Sequence, residues 1–323
     1  MPQRGVASRA ALPAAMTRAA SMQSYLTIRW LADRAYRADA FALYAYFRWL
    51  DDTVDERLVD RDQRLTFVAR QRSLLAQAAA GTTPAGLSPE EALLVGLVQP
   101  DHASSGRGEV RVEESDGLLL SLGSMLDVME FDARRHGRPV TQIELDGYTD
   151  DLAISVTEAL HHCIGHGQRS PNDETRYVAV AGAHVAHMLR DLAEDLDAGY
   201  VNVPSELLAD GQLSLHDLHT PALRAWVRDR VELARSCFAT GRRSLAQTEN
   251  PRCRLAGHAY IARFEWLLDA VERDGYRLRT AYPERATIRG GLTIAADGAR
   301  SALAAVRPGS RPAQLVGNRT VGR

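Results

Sequence analysis

Two stretches of this chain set carboxylates at helical spacing beside aromatic and basic residues. In Tyr44-Ala-Tyr-Phe-Arg-Trp-Leu-Asp51-Asp52-Thr-Val-Asp55-Glu56, the residues Tyr44, Arg48, Asp51 and Asp55 fall at i, i+4, i+7 and i+11. On an α-helix those offsets make one stripe about three turns long, carrying a phenol, a guanidinium and two carboxylates. In His184-Val-Ala-His187-Met-Leu-Arg190-Asp191-Leu-Ala-Glu194-Asp195, the residues His184, His187, Asp191 and Asp195 repeat nearly the same offsets. Like charges at i, i+4 destabilise an isolated helix by roughly 0.2–0.5 kcal/mol per pair, so each pair needs either solvent or a cation. For one pair solvent is an adequate explanation, but for two such stripes it is a poor one.

Facing each other across a bundle, the two pairs would offer hard oxygen ligands to Mg²⁺. That ion keeps several waters and typically takes one or two carboxylates plus substrate phosphate oxygens. The chemistry this fits is diphosphate ionisation, with the metal neutralising the departing group, arginines gripping its oxygens and apolar walls keeping water from a carbocation. Arg48 and Arg190 are the motif arginines nearest the expected diphosphate, although Arg190 could equally pair with Glu194 at i, i+4.

Positioning such stripes requires long helices, and the chain supplies the pattern for them. Amphipathic periodicity predicts helices over about 22–33, 37–58, 61–80, 88–99, 115–136, 141–166, 174–198, 221–247, 252–274 and 286–306. Few alternating β-branched runs occur, so the class is all-α. Breaks fall at Gly81 to Pro84, Gln99 to Gly108, Gly137 to Pro139, Gly167 to Asn172 and Thr220-Pro221. No repeat of 20 to 50 residues appears, which argues against a solenoid and for a single bundle around a central cavity. Residues 1–20 read as a disordered leader, 21–306 as the folded domain and 307–323 as a disordered tail.

Composition narrows the function. The chain has 323 residues, 45% of them hydrophobic, with 39 basic and 41 acidic side chains. Every basic residue is Arg and there is no Lys, which removes Schiff-base lysines and the phosphate-binding Lys of a P-loop. The formal charge of −2, without a long basic tract, disfavours nucleic acid. Cys163, Cys237 and Cys253 are odd in number and in no CxxC pairing, as expected of a reducing, cytoplasmic setting. No apolar run approaches the roughly 18–20 residues that span a bilayer.

The motifs together resemble those of the squalene/phytoene synthase family. Ser24-Tyr25, then Ala42-Leu-Tyr44-Ala-Tyr-Phe-Arg48 and Asp51-Asp-Thr-Val-Asp55-Glu, look like that family's first aspartate-rich region. Leu189-Arg-Asp191-Leu-Ala-Glu-Asp195 and Gly199-Tyr-Val-Asn-Val-Pro204 look like the second. Tyr148, Leu152, Ala153 and Val156 resemble the central helix lining the prenyl pocket, and Leu267-Leu-Asp269 with Gly275-Tyr276 resembles a late family segment. These anchors span roughly residues 20 to 300.

The resemblance implies a single-domain, all-α isoprenoid (terpenoid) synthase bundle. It implies Mg²⁺, three ions with bound diphosphate, and head-to-head joining of two prenyl diphosphates (farnesyl or geranylgeranyl) through a cyclopropyl diphosphate. Asp51, Asp55, Asp191 and Asp195 would be catalytic and metal-binding, with His187 at a position where the family has a metal-binding Asn. Ser24, Tyr44, Arg48, Tyr148, Leu152, Val156, His184, Arg190, Phe264 and Arg285 would contact substrate. Squalene-forming members use NADPH and phytoene-type members lose a proton; the sequence leaves that choice open. It departs from the family pattern at His187, at Ile154 to Thr157 in place of a glycine-rich run, and at Phe264 in place of a frequent Tyr. All three alter the cavity rather than the acids.

Other features read more simply. Glu158-Ala-Leu-His161 has di-iron spacing but occurs once, so coincidence is the better account. Trp30, Trp49, Trp226 and Trp266 read as core or pocket wall, and Arg134-Arg135 and Arg242-Arg243 as solvated pairs, with weak contact to an anionic membrane surface as their alternative. Arg285 and Arg289 either reach the diphosphate or flank the last helix. Two rival functions stand beside condensation: a terpene synthase cyclising a single prenyl diphosphate on the same scaffold, and a non-catalytic scaffold or assembly factor. A lipophilic product would also favour peripheral association with a membrane.

Overall fold

The computed structural model describes residues 4–99, 112–165, 167–209, 211, 213–215, 217–280 and 282. Its helices are α1 (Arg4–Ala20), α2 (Met22–Leu31), α3 (Arg37–Asp52), α4 (Arg61–Ala79), α5 (Pro89–Val98), α6 (Val112–Arg135), α7 (Gln142–Cys163), α8 (Val178–Asp197), α9 (Ser205–Ala209), α10 (Pro221–Ala246) and α11 (Pro251–Arg273). Among the described residues there is no strand, only one isolated parallel bridge between Val140 and Pro204. No described helix is long and apolar enough to cross a membrane.

Helix starts follow local chemistry. Ser88 and Thr141 cap α5 and α7 in reciprocal capping boxes with Glu91 and Glu144. Thr220 and Asn250 cap α10 and α11, each followed by a proline in the first turn, where its missing N–H is not needed. Three expectations need correction. Residues 4–20, read as a disordered leader, form α1, whose Thr17 is fully buried. The helix predicted over 37–58 ends as an α-helix at Asp52 and finishes in a π-helical turn over Thr53–Arg57. The helix predicted from 174 begins as a 3₁₀ turn, Glu174–Arg176, before α8. The helix expected at 286–306 and the tail at 307–323 lie outside the described residues.

The two larger apolar cores are built from different helices. One gathers Ala183, Ala186, Leu189 and Leu192 of α8 with Val227, Val231 and Phe238 of α10 and Ile261, Leu267 and Leu268 of α11. The other gathers Tyr46 and Leu50 of α3 with Val68 of α4, Leu94 of α5 and Leu122 and Leu126 of α6. α7 joins the halves, packing on α6 and α8. The α6–α7 contact is tight enough for Ser121 and Ser155 to donate their hydroxyls to each other's backbone carbonyls, at 2.8 and 2.9 Å. α8 and α10 touch through small residues: a Cβ at Gly241 would lie 2.5 Å from Ala179 Cβ, and one at Gly182 would lie 2.6 Å from Cys237 Cβ.

A polar network holds α3 against its neighbours. Buried Glu91 accepts from Arg70 Nε at 2.6 Å, Gln71 Nε2 at 3.1 Å and the Ser88 backbone N–H at 2.9 Å, while the Gln71 carbonyl accepts from the Tyr46 hydroxyl at 3.2 Å. The Arg70 hydrogen bond is the main cause that draws the Glu91 carboxyl down to about 2.

Three substitutions test this packing and the Glu91 network. Gly241→Val is expected to cost about 1–3 kcal/mol by overpacking α8 against α10. Gly96→Ala, where a Cβ meets nothing within 4 Å, should gain up to about 1 kcal/mol; chemical denaturation reads both. Glu91→Gln should destabilise at pH 7 by about 1–3 kcal/mol. Because the folded carboxyl titrates below the unfolded one, that deficit should close as pH falls from about 4 toward about 2.

Candidate active site

The first acid pair lies where α3 ends. Tyr46 and Leu50 turn into the core and leave the opposite row, Tyr44, Arg48 and Asp51, facing away from it. Arg48 Nη1 donates to Asp51 Oδ2 at 3.0 Å, and Nη2 lies 2.5 Å from Asp52 Oδ1. Asp55 follows in the π-helical turn, a local irregularity that often accompanies functional sites. Desolvation, reinforced by the charge on Asp55, pushes Asp51 up to about 7.

The second pair lies on α8, on the row opposite Ala183, Ala186, Leu189 and Leu192. Arg190 donates to both oxygens of Asp191, and His187 Nε2 lies 3.0 Å from Asp191 Oδ2. Burial pushes the Asp191 carboxyl up, but the His187 and Arg190 hydrogen bonds outweigh it and hold the group well below the usual range. Asp195 behaves oppositely: desolvation and the Asp191 charge push it up to about 7, against the pull of Arg135 and Asn202.

Residues beyond the two motifs bring the pairs together. After α8 the chain turns at Gly199, with φ +86°, and runs back over the α6–α7 loop, where Gly137 N–H donates to Gly199 O at 2.9 Å and Ser205 N–H to Val140 O at 2.7 Å. In that return segment the Tyr200 hydroxyl donates to Asp55 Oδ1 at 2.7 Å, and Asn202 Nδ2 donates to Asp195 Oδ2 at 2.6 Å. Arg135 lies beneath, donating to Asp132 Oδ1 at 2.6 Å and to Asn202 Oδ1 at 2.5 Å. Its guanidinium also lies over the rings of Phe131, Tyr148 and Tyr200. Arg135 is thus a buried structural cation and not a solvated surface residue, whereas its neighbour Arg134 is exposed on Glu130. Asp132, also missed in the sequence, is a fifth carboxylate of the cluster; burial pushes it up to about 6 against the pull of Arg135.

The remaining expected residues divide. Tyr148 donates to Asp132 Oδ2 at 3.1 Å and stacks edge-on against His184, with ring centres 5.0 Å apart. His184 is buried, neither ring nitrogen has a hydrogen-bond partner, and burial lowers its pKa to about 3. Phe264 packs edge-on against His187 and Tyr260, with centres 6.4 and 5.1 Å away. Leu152 and Val156 are half-buried on α7. Ser24 sits in the first turn of α2, its backbone N–H capped by Ser21 at 3.2 Å, and makes no hydrogen bond to the acid pairs. Arg285 and Arg289 lie outside the described residues.

Arg263 was not singled out in the sequence. Its Nε is buried without a partner, and its charge is disfavoured first by burial, with Tyr260 and Tyr44 opposing and Arg190 adding to that effect. A cation held near Arg190 and Tyr44 is a further candidate to meet an anion. Its position, one residue before Phe264, was the available signal. Other side chains resolve as structural. Glu158 accepts from Arg176 and from the Tyr177 hydroxyl, each at 2.8 Å, so the di-iron spacing was coincidence. Trp49 packs edge-on against Phe67, but Trp30, expected in the core or pocket wall, is 69% exposed.

A small cavity of about 50 Å³ lies between α7, α8, α10 and α11. Leu160 extends the i+4 row of Tyr148, Leu152 and Val156 into its wall, and Tyr260 belongs to both its wall and the Phe264 contact. The walls are mainly apolar, with Thr157, His161, Arg176, Ser244 and Thr248 as polar exceptions.

Among the described residues no three His, Cys, Asp or Glu side chains converge closely enough to hold a metal ion by themselves. A fully protein-caged metal is therefore a poor fit. Mg²⁺ completed by water and phosphate oxygens fits, because the donors are hard oxygens and because burial, with repulsion from neighbouring acids added to it, leaves Asp51 and Asp195 short of positive charge.

The buried Asp132–Arg135 pair gives a stability test. Arg135→Met should cost about 3–5 kcal/mol by stranding Asp132, and the double variant Asp132→Leu/Arg135→Met should recover much of that loss in denaturant melts.

Comparison with known proteins agrees with the geometry. The model of the squalene/phytoene synthase family matches residues 17–290. No curated protein sequence matches the chain. Among solved structures, squalene synthase HpnC from Alicyclobacillus acidocaldarius is 21% identical, with a TM-score of 0.63 over 84% of this chain and 96% of that one. A dehydrosqualene synthase in complex with a ligand is 16% identical, with a TM-score of 0.70 over 92% and 98%. TcSQS in complex with the ligand BPH1237 is 16% identical, with a TM-score of 0.63 over 92% and 89%. At these identities the structures show a shared all-α isoprenoid synthase fold, and the family match over most of the sequence shows that this chain belongs to the squalene/phytoene synthase family.

Proposed function

We propose that this protein is a Mg²⁺-dependent prenyltransferase that ionises an allylic prenyl diphosphate, farnesyl or geranylgeranyl, and joins two of them head to head. The observation that supports this best is the pair of acid clusters on α3 and α8, tied across the bundle by Tyr200 on Asp55 and by Asn202 on Asp195, with Arg135 donating to Asn202 from beneath. Asp51, Asp55, Asp191 and Asp195 would hold the metal together with phosphate oxygens. His187 is occupied by Asp191, which favours a role in orienting that carboxylate over one as a ligand. When bound, Mg²⁺ supplies charge neutralisation for the departing diphosphate.

The chain's own residues supply the rest. Arg48 and Arg190 lie on the acids in this structure and would grip diphosphate oxygens; Arg263 adds a third cation nearby. Ionisation breaks the allylic C–O bond, both electrons leaving with the diphosphate. The cation is attacked by the double bond of a second prenyl diphosphate, and loss of a proton closes the cyclopropyl diphosphate. Phe264, Tyr148, Leu152 and Val156 would border the reacting carbons and limit water. A second ionisation opens the ring, and its quenching by hydride from NADPH or by proton loss decides the product.

The test is incubation of purified protein with Mg²⁺ and farnesyl or geranylgeranyl diphosphate, with and without NADPH, followed by mass spectrometry of the hydrocarbons. Doubled carbon count is expected; an unchanged count would mean cyclisation instead, and no diphosphate release would leave only a scaffold. Asp51→Asn and Asp191→Asn should each lower turnover at least about a hundredfold with unfolding midpoints near wild type. Wild-type rates in either variant would contradict the role given to the acids.

A further inference from the structure

His184 is a buried imidazole to which the reaction has so far given no task. It is 7% exposed, and neither ring nitrogen has a hydrogen-bond partner. Buried polar groups are ordinarily paired, so an orphaned one calls for an explanation. Burial first, and then the charges of His187 and Arg135, draw its pKa down to about 3. The ring is therefore neutral, and one of its nitrogens carries a free lone pair.

The ring stands at the depth where the reacting carbons would lie. On α8 it shares a row with His187, Asp191 and Asp195 and comes seven residues before Asp191, which is about 10 Å along the helix axis. A diphosphate held at Asp191 would span the nearer part of that distance and leave the first prenyl carbons beside His184. From α7, Tyr148 meets the imidazole edge-on with ring centres 5.0 Å apart.

Other bases along this wall are committed or turned away. Asp132 is held by Arg135 and Tyr148, and His187 lies on Asp191. Tyr148 gives its hydroxyl hydrogen to Asp132, and burial pushes the phenol up, so no phenolate is at hand. His161 is neutral as well, but it follows Tyr148 by 13 residues on α7 and lies beside Cys253, about 20 Å down the axis. His258 is buried with both nitrogens unpartnered, yet it comes six residues before Phe264 on α11, which turns it about 120° from that face.

We propose that His184 is the catalytic base that closes the cyclopropane ring. This rests on the head-to-head reaction proposed above. In that step C1 of the allylic cation bonds to C2 of the second prenyl diphosphate, whose C3 becomes the cation. A C–H bond at the same C1 then breaks, its electron pair forms the C1–C3 bond that closes the ring, and the proton goes to the free nitrogen of His184. C1 is the atom that has just left the diphosphate, so a base at this depth is placed to reach it. The imidazolium, disfavoured by burial, passes its proton to the released diphosphate, which leaves protonated.

Wild type, His184→Gln and His184→Phe would each be given Mg²⁺ and farnesyl diphosphate, with released diphosphate, condensed product and prenyl alcohol measured together. Both variants should lose condensed product about a hundredfold or more. Diphosphate release should fall less than about tenfold, with the difference recovered as prenyl alcohol because water traps the waiting cation. Unfolding midpoints and calorimetric binding of Mg²⁺ with inorganic diphosphate should stay near wild type. Condensation restored in His184→Gln would mean that the ring only donates or accepts a hydrogen bond, and would overturn the assignment. So would parallel loss of release and condensation in folded variants, or wild-type condensation in His184→Phe. A wild type that makes no condensed product would overturn the reaction itself, and the assignment with it.

Discussion

The structure depends on repulsion that it does not relieve by itself. Asp51, Asp55, Asp132, Asp191 and Asp195 come from α3 and its π-helical turn, α6 and α8; burial first, and then the charges of neighbouring acids, push Asp51 and Asp195 both up to about 7. Gathering carboxylates this way costs stability, so the surrounding chain has to impose it. Arg135 does much of that. Buried between Asp132 and Asn202 and covered by three aromatic rings, it supplies a fixed positive charge beneath the cluster without occupying it. Tyr200 and Asn202 then act as straps from the segment after α8.

The rest of the fold serves that placement. Small residues let α8 approach α10 closely, and the Ser121–Ser155 exchange draws α6 onto α7. The Tyr46–Gln71–Glu91 network fixes the rotation of α3, so that its acid row turns away from its own core. The cationic partners of Asp51 and Asp191 are Arg48, Arg190 and His187, side chains able to move to an arriving anion. With no lysine in the chain, every such grip falls to guanidinium or imidazole.

What the sequence shows of this site is what lies along single helices. Asp51 with Asp55 and Asp191 with Asp195 were legible because i, i+4 spacing is a local property, and the long helices were legible for the same reason. Arg135 was read as surface because it follows another arginine just before a Gly-containing turn, and nothing local reveals that Asn202 and three aromatic rings close over it. Asp132 was missed likewise, and Tyr200 was quoted with the second region but given no role, since their roles arise from contacts across α6, the α6–α7 loop and the return segment. The π-helical turn escaped because hydrophobic periodicity does not register one extra residue in a turn. Trp30 misled in the other direction: its helical spacing is genuine, but among the described residues no core lies on that side of α2.

The central claim is that the acid cluster is completed by divalent cations arriving with a diphosphate. Calorimetric titration of inorganic diphosphate into the full-length protein, with and without Mg²⁺, tests it most directly, because no prenyl chain or turnover is needed. Tight binding only when both are present, and lost in Asp51→Asn, is the predicted result. Diphosphate binding that is unchanged by Mg²⁺, or that survives in Asp51→Asn, would contradict it.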